Sequence, residues 1–156
     1  MSDENAKALY WEDHQLGSRR VSGRRTITET DIVFHAGHTG DYHPYHIDAD
    51  WAKTQPYGQR IAHGTLTFSI GVGLTGNAGG DNPVAFSYGY DRIRFVKPVF
   101  IGDTIHTVVT INQRRQDPKR TDRGFIDELG EVINQRGETV LVFTHIHAVA
   151  KRPTPV

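Results

Sequence analysis

The chain has 156 residues, no cysteine, and 18 basic against 18 acidic side chains. That length fits a single domain, taken as residues 1–156, which can hide roughly two thirds of its unfolded surface. The absence of cysteine excludes a disulfide framework and thiolate chemistry, and the cancelled charge gives no field toward nucleic acid or an anionic membrane.

Residues 1–7, Met-Ser-Asp-Glu-Asn-Ala-Lys, lack the apolar centre of a signal peptide. The longest apolar-leaning stretch, residues 61–74, is broken by His63, three glycines and several hydroxyls, far short of a bilayer span. The expectation is a soluble cytoplasmic protein. Residues 10–27 read as extended, with a strand over 21–25 after the Leu16-Gly17-Ser18 turn. Thr28-Glu29-Thr30-Asp31 has the form of a capping box opening a short helix through His35 and Ala36.

Next comes Gly-Asp-Tyr-His-Pro-Tyr-His, residues 40–46. Asp41 and His46 stand five positions apart, and a five-residue step would turn them to different faces of a helix. Pro44 lacks an N–H and biases His43 away from the helical region, so an irregular loop is expected. Side chains on such a loop can converge without obeying a helical period. Asp41 and His46 form a candidate acid–base pair.

Asp48 caps a second short helix over 49–54, closed by Pro56 and Gly58. A third begins near His63 and carries no charged side chain through Leu74, so it belongs inside, wrapped by other elements. Ala62-His63-Gly64 opens it. The Gly64 amide then falls among the unpaired N–H groups of a helix N-terminus, which suit developing negative charge. The plainer role for Gly64 is tight packing at the helix start.

Strands dominate the remainder: residues 84–99, 104–111, 125–134 and 139–150, with turns at Ile101-Gly102-Asp103 and at Gln135-Arg136-Gly137-Glu138. In the last, Val140, Val142, Ile146 and Ala148 share one parity while Leu141, Phe143 and Val149 share the other, so both faces are covered. Helices followed by consecutive strands around one apolar helix define an α+β plan, an antiparallel sheet wrapped on a buried helix.

Other motifs are weaker. His35, His38, His43, His46 and Asp41 cluster without recognisable zinc spacing, and His145 and His147 share a strand face without a third partner. No metal is expected. Residues 71–76, Gly-Val-Gly-Leu-Thr-Gly, match the dinucleotide-binding glycine pattern, but a helix runs into them where a strand is needed. Gly71 and Gly73 are read instead as packing positions and Gly76 as a helix end. The basic run of residues 114–123 reads as a solvated hairpin loop, with a phosphate-binding patch as the sharper alternative.

Together, Gly-Asp-Tyr-His-Pro-Tyr-His, Ala-His-Gly and the segment 94–104, Arg-Phe-Val-Lys-Pro-Val-Phe-Ile-Gly-Asp-Thr, resemble the MaoC-like dehydratases, which include R-specific enoyl-CoA hydratases. The resemblance covers roughly residues 10–150. It implies a hot-dog fold, a catalytic pair at Asp41 and His46, and an oxyanion donor at the Gly64 amide. It also implies an acyl-CoA or acyl-carrier thioester substrate, a homodimer, and no metal or redox cofactor. The loop in that family commonly reads Gly-Asp-x-Asn-Pro-x-His, so His43 replaces an asparagine, and Val72 stands where some members carry a serine, with Ser69 the nearest hydroxyl. The implied reaction is hydration of a 2-enoyl thioester to an (R)-3-hydroxyacyl thioester, or its reverse. A hot-dog thioesterase or a non-catalytic acyl-thioester-binding module are the alternatives.

Overall fold

The computed structural model describes residues 8–79 and 82–153. Residues 1–7, 80–81 and 154–156 lie outside them. Two short strands, β1 (Arg19–Val21) and β2 (Arg25–Thr26), precede three helices, α1 (Glu29–Thr39), α2 (Pro44–Ile47) and α3 (Ala49–Lys53). The long helix α4 (Gly64–Gly79) follows, then four long strands, β3 (Ala85–Phe95), β4 (Thr104–Gln116), β5 (Arg123–Asn134) and β6 (Thr139–Ala150). All pairings are antiparallel in the order β1-β4-β5-β6-β3, with β2 also on β4. The sheet packs around α4 as a hot-dog fold.

The helix seats on the sheet at specific points. Leu66, Ile70 and Leu74 recur every four residues, forming one stripe that joins Val132, Leu141 and Phe143 in the main core. Burying each such side chain is worth about 1.5–3 kcal/mol. Gly71 sets the closest approach: a Cβ there would sit 2.6 Å from Val132 Cγ2, and the Thr107 hydroxyl donates to the Gly71 carbonyl at 2.9 Å. The sheet does not enclose α4 fully. Thr65, Ser69, Gly73 and Gly76 form an exposed stripe, and a Cβ at Gly73 or Gly76 would meet open space.

Several expectations are corrected. The strand expected at 21–25 is split because the Ser22 hydroxyl accepts the Thr107 N–H at 2.8 Å in place of a regular ladder bond. The expected loop holds a helical turn, α2, with Pro44 at its start, where a missing N–H is no loss and φ is already helical. Pro44 therefore opens a helix under His46; it does not keep the residue off one. Gly76 does not end α4, which runs on to Gly79. β4 extends to Gln116, so Arg114 and Arg115 lie in a strand, not in a loop. The basic run is largely spent within the chain: Arg115 pairs with Asp127, Arg123 with Asp117 and Arg120 with Asp122.

Candidate active site

The capping box at Thr28 and Asp31 starts α1, and Gly40, left-handed at φ 78°, ends it. The chain therefore turns sharply just before Asp41. His43 then caps α2: its Nδ1 accepts the Tyr45 N–H at 3.3 Å, the service an asparagine oxygen performs elsewhere. Its own N–H donates to Asp41 Oδ1 at 3.2 Å. A histidine at position 43 thus still supplies a cap acceptor at the start of α2.

His46 projects from α2 toward the segment entering α4. Its Nδ1 lies 2.8 Å from the Ile61 carbonyl oxygen, an acceptor only, so Nδ1 carries the proton and Nε2 keeps its lone pair. Burial lowers the His46 pKa, opposed by the Ile61 hydrogen bond, so the imidazole is uncharged near neutral pH. The ring stacks on His63 with centroids 3.7 Å apart.

His63, 1 % exposed, is a part that sequence reasoning treated only as a neighbour of Gly64. Its Nε2 donates to the Asp41 carbonyl at 3.0 Å, so it fixes the backbone beneath one catalytic candidate while its ring supports the other. One donor atom each from Asp41, His46 and His63 lie within 4.8 Å of one another. The same three atoms could ligate a cation, although the Nδ1 of His46 and the Nε2 of His63 are already engaged. His35 joins from α1, its Nε2 2.9 Å from the Thr65 hydroxyl and its ring 4.8 Å from that of His63. His38 belongs to neither group of converging donor atoms among the described residues.

Gly64 is the first residue of α4, so its N–H has no intrahelical acceptor. The Ala62 N–H bonds to the Val99 carbonyl at 2.7 Å and Ile61 bridges Phe100, which ties the helix start to the segment at 94–104. A cavity of about 230 Å³ opens here, lined by His46, Tyr57, Gly64, Thr67, Phe95 and Lys97 among others. Asp41 does not line it; its carboxylate is exposed beside His46. Phe95 lies so close to Gly64 that a Cβ there would meet the ring at 2.9 Å. The packing reading of Gly64 is met by the Phe95 ring, and Gly64 also lines the cavity. Phe95 and Lys97 fall within the segment 94–104 already singled out, but nothing in its sequence tied them to His46. Tyr57 carried no motif, and its ring meets that of Phe100 from the same segment.

His46 and Gly64 thus share one cavity, with the Asp41 carboxylate beside His46 but outside the cavity lining, an arrangement chemically suited to proton transfer near a helix N-terminus. Residues 15–125 match the model described as the MaoC like domain, and the chain belongs to the MaoC-like family. It is 33% identical over 148 residues to the (R)-specific enoyl-CoA hydratase of Rhodospirillum rubrum, covering 91% of this chain and 97% of that one. It is 37% identical over 112 residues to Protein MaoC of Klebsiella aerogenes, covering 72% of this chain but only 33% of that longer protein. Among solved structures, one described as the monoamine oxidase regulatory protein from Archaeoglobus fulgius superposes with a TM-score of 0.89 at 34% identity, covering 95% of this chain and 99% of that one.

Proposed function

We propose that this protein interconverts 2-enoyl thioesters and (R)-3-hydroxyacyl thioesters, with coenzyme A as the carrier, acting as a cytoplasmic homodimer without metal or redox cofactor. The observation that carries the reading is the shared cavity of His46 and the Gly64 amide, with the Asp41 carboxylate beside it. Hydration places the hydroxyl of water on C3 and a proton on C2, while charge builds on the thioester oxygen. The Gly64 N–H, at the positive end of a 16-residue helix, receives that oxygen. One preorganised donor of this kind is worth about 10²–10³ in rate. Asp41 and His46 hold the water between them: one proton leaves it, one reaches C2, and the pair ends as it began. Positioned acid–base groups contribute typically ~10²–10⁴.

Surfaces that the single chain leaves open support the dimer reading. β3 is an edge strand carrying exposed Phe86, Tyr88 and Phe95, and the bare stripe of α4 is a second uncovered face.

A panel of short, branched, dicarboxylic and longer enoyl-CoAs tests the reaction. The expected result is loss of the conjugated double bond without release of free thiol. Thiol release alone would move the assignment to a thioesterase. Binding of the panel without turnover would favour a non-catalytic module, a reading to which the regulatory description of the Archaeoglobus neighbour lends weight.

A further inference from the structure

A second cavity, of about 460 Å³, lies along the far half of α4 and shares no lining residue with the first. Val72, Gly73 and Gly76 bound it from the helix, about 12 Å or more along the axis from Gly64. Glu128, His145 and His147 bound it from the sheet. The cross-strand register makes this group, because Glu128 pairs with His145 and Ile126 with His147, and Ser87 of the edge strand stands opposite His147. Glu128 thus supplies the third partner that His145 and His147 lacked in sequence. One donor atom from each of the three lies within 4.8 Å of the others.

The side chains form a continuous polar chain in a mostly apolar interior. The Ser87 hydroxyl is 2.8 Å from His145 Nε2, the His145 and His147 rings are 3.8 Å apart, and His147 Nε2 is 3.2 Å from Glu128 Oε2. Arg20 Nη2 reaches the same Glu128 oxygen at 2.8 Å. Glu128 is 4 % exposed and His145 7 %. Such burial is costly for folding alone, and polar groups converging on an apolar cavity mark a ligand site more often than a packing solution.

The balance of donors and acceptors says what would fit. Arg20 already occupies the Glu128 carboxylate. The enclosed Arg20 Nε and His14 Nε2 have no hydrogen-bond partner among the described residues, and both residues line this cavity. The rest of the lining is largely apolar: Leu9 and Val72, with Ala85, Ile126 and Val149 on the strands that carry the polar group. Nitrogen groups in surplus within a largely hydrocarbon lining match a molecule with an apolar body and a terminal oxygen acceptor. The arginine guanidinium beside a carboxylate also makes a bare dication a poor occupant.

We propose that this cavity binds an aliphatic ligand through a terminal hydroxyl or carboxylate, read by the Ser87–His145–His147 chain. The ligand is either the acyl end of the thioester, which rests on the function proposed above, or a free acid or alcohol of the same chemistry.

Histidine-labelled full-length protein, followed by imidazole NMR, separates these sources. The probes are hexanoate, hexanol, hexanoyl-CoA, 6-hydroxyhexanoyl-CoA and adipoyl-CoA; the thioesters are saturated and cannot be hydrated, so the readout does not require hydratase activity. An acyl-end ligand predicts that the oxygen-ended thioesters shift the His145 and His147 resonances and bind about tenfold tighter than hexanoyl-CoA, the worth of one good hydrogen bond. A free ligand predicts the shift with hexanoate or hexanol and not with the thioesters. Ser87→Ala, on the edge strand, and His145→Phe should each erase the preference. Resonances of His145 and His147 that no probe moves, or hexanoyl-CoA binding as tightly as its oxygen-ended analogues with no response to free hexanoate or hexanol, would overturn the proposal.

Discussion

At the residue scale, His43 shows how an imidazole can serve as a helix cap. The imidazole Nδ1 caps α2, so His43→Asn should leave the thermal midpoint and turnover within a few-fold of wild type. His43→Ala, which removes the acceptor, should cost about 1 kcal/mol by chemical denaturation and lower kcat as α2 loosens under His46. His46 itself should set an acid limb. Burial holds its pKa below the ordinary 6.5, so kcat/KM is expected to stay level down to that pH and fall only below it; a limb centred above 6.5 would contradict an uncharged His46. The candidate pair was legible because both residues sit within one short motif. His63 was not, since its contact to the Asp41 carbonyl crosses 22 positions and ends on backbone, which no side-chain pattern encodes. Glu128 was hidden for a related reason: it meets His145 only through the register of two strands.

At the scale of elements, α4 carries most of the fold's specificity, and its Gly71 offers a sharp test. Alanine would gain about 1 kcal/mol in helix propensity. Against that, its Cβ would press to 2.6 Å from Val132 Cγ2, in a core strand with no free space, and overpacking costs typically 1–3 kcal/mol. Gly71→Ala should therefore be net destabilising in urea unfolding, whereas Gly73→Ala, facing open space, should stabilise or be neutral. The helix was readable from its unbroken lack of charge, as were α1 from its capping box and the strands from β-branched and aromatic runs. The turn of helix at Pro44–Ile47 escaped because proline was weighed as a breaker, although at the first helical position it is a starter. The extension of β4 escaped because Arg114 and Arg115 look like loop residues until Asp127 on the neighbouring strand neutralises Arg115.

At the scale of the whole molecule, the buried polar chain beneath α4 should tie stability to pH. Burial raises the Glu128 pKa, but hydrogen bonds from His147 and Arg20 outweigh it and bring the group down to about 2, from 4.5 unfolded. Burial also drives His145 down to about 4, from 6.5 unfolded. In both cases the unfolded chain binds protons more readily, so stability falls as pH falls: through His145 between about 6.5 and 4, then through Glu128 between about 4.5 and 2. Thermal midpoints followed by circular dichroism should decline across the first window, and His145→Gln should flatten that part of the curve. An unchanged slope in the variant would remove His145 from the account. The proposed hydration rests on the water-handling pair set against the Gly64 amide, and the rate of enoyl-CoA hydration by purified wild type, Asp41→Asn and His46→Gln on the best substrate of the panel tests it. A loss of at least about 10²-fold in kcat is expected for each variant, with folded protein and little change in thioester binding. Turnover undiminished in both would contradict it.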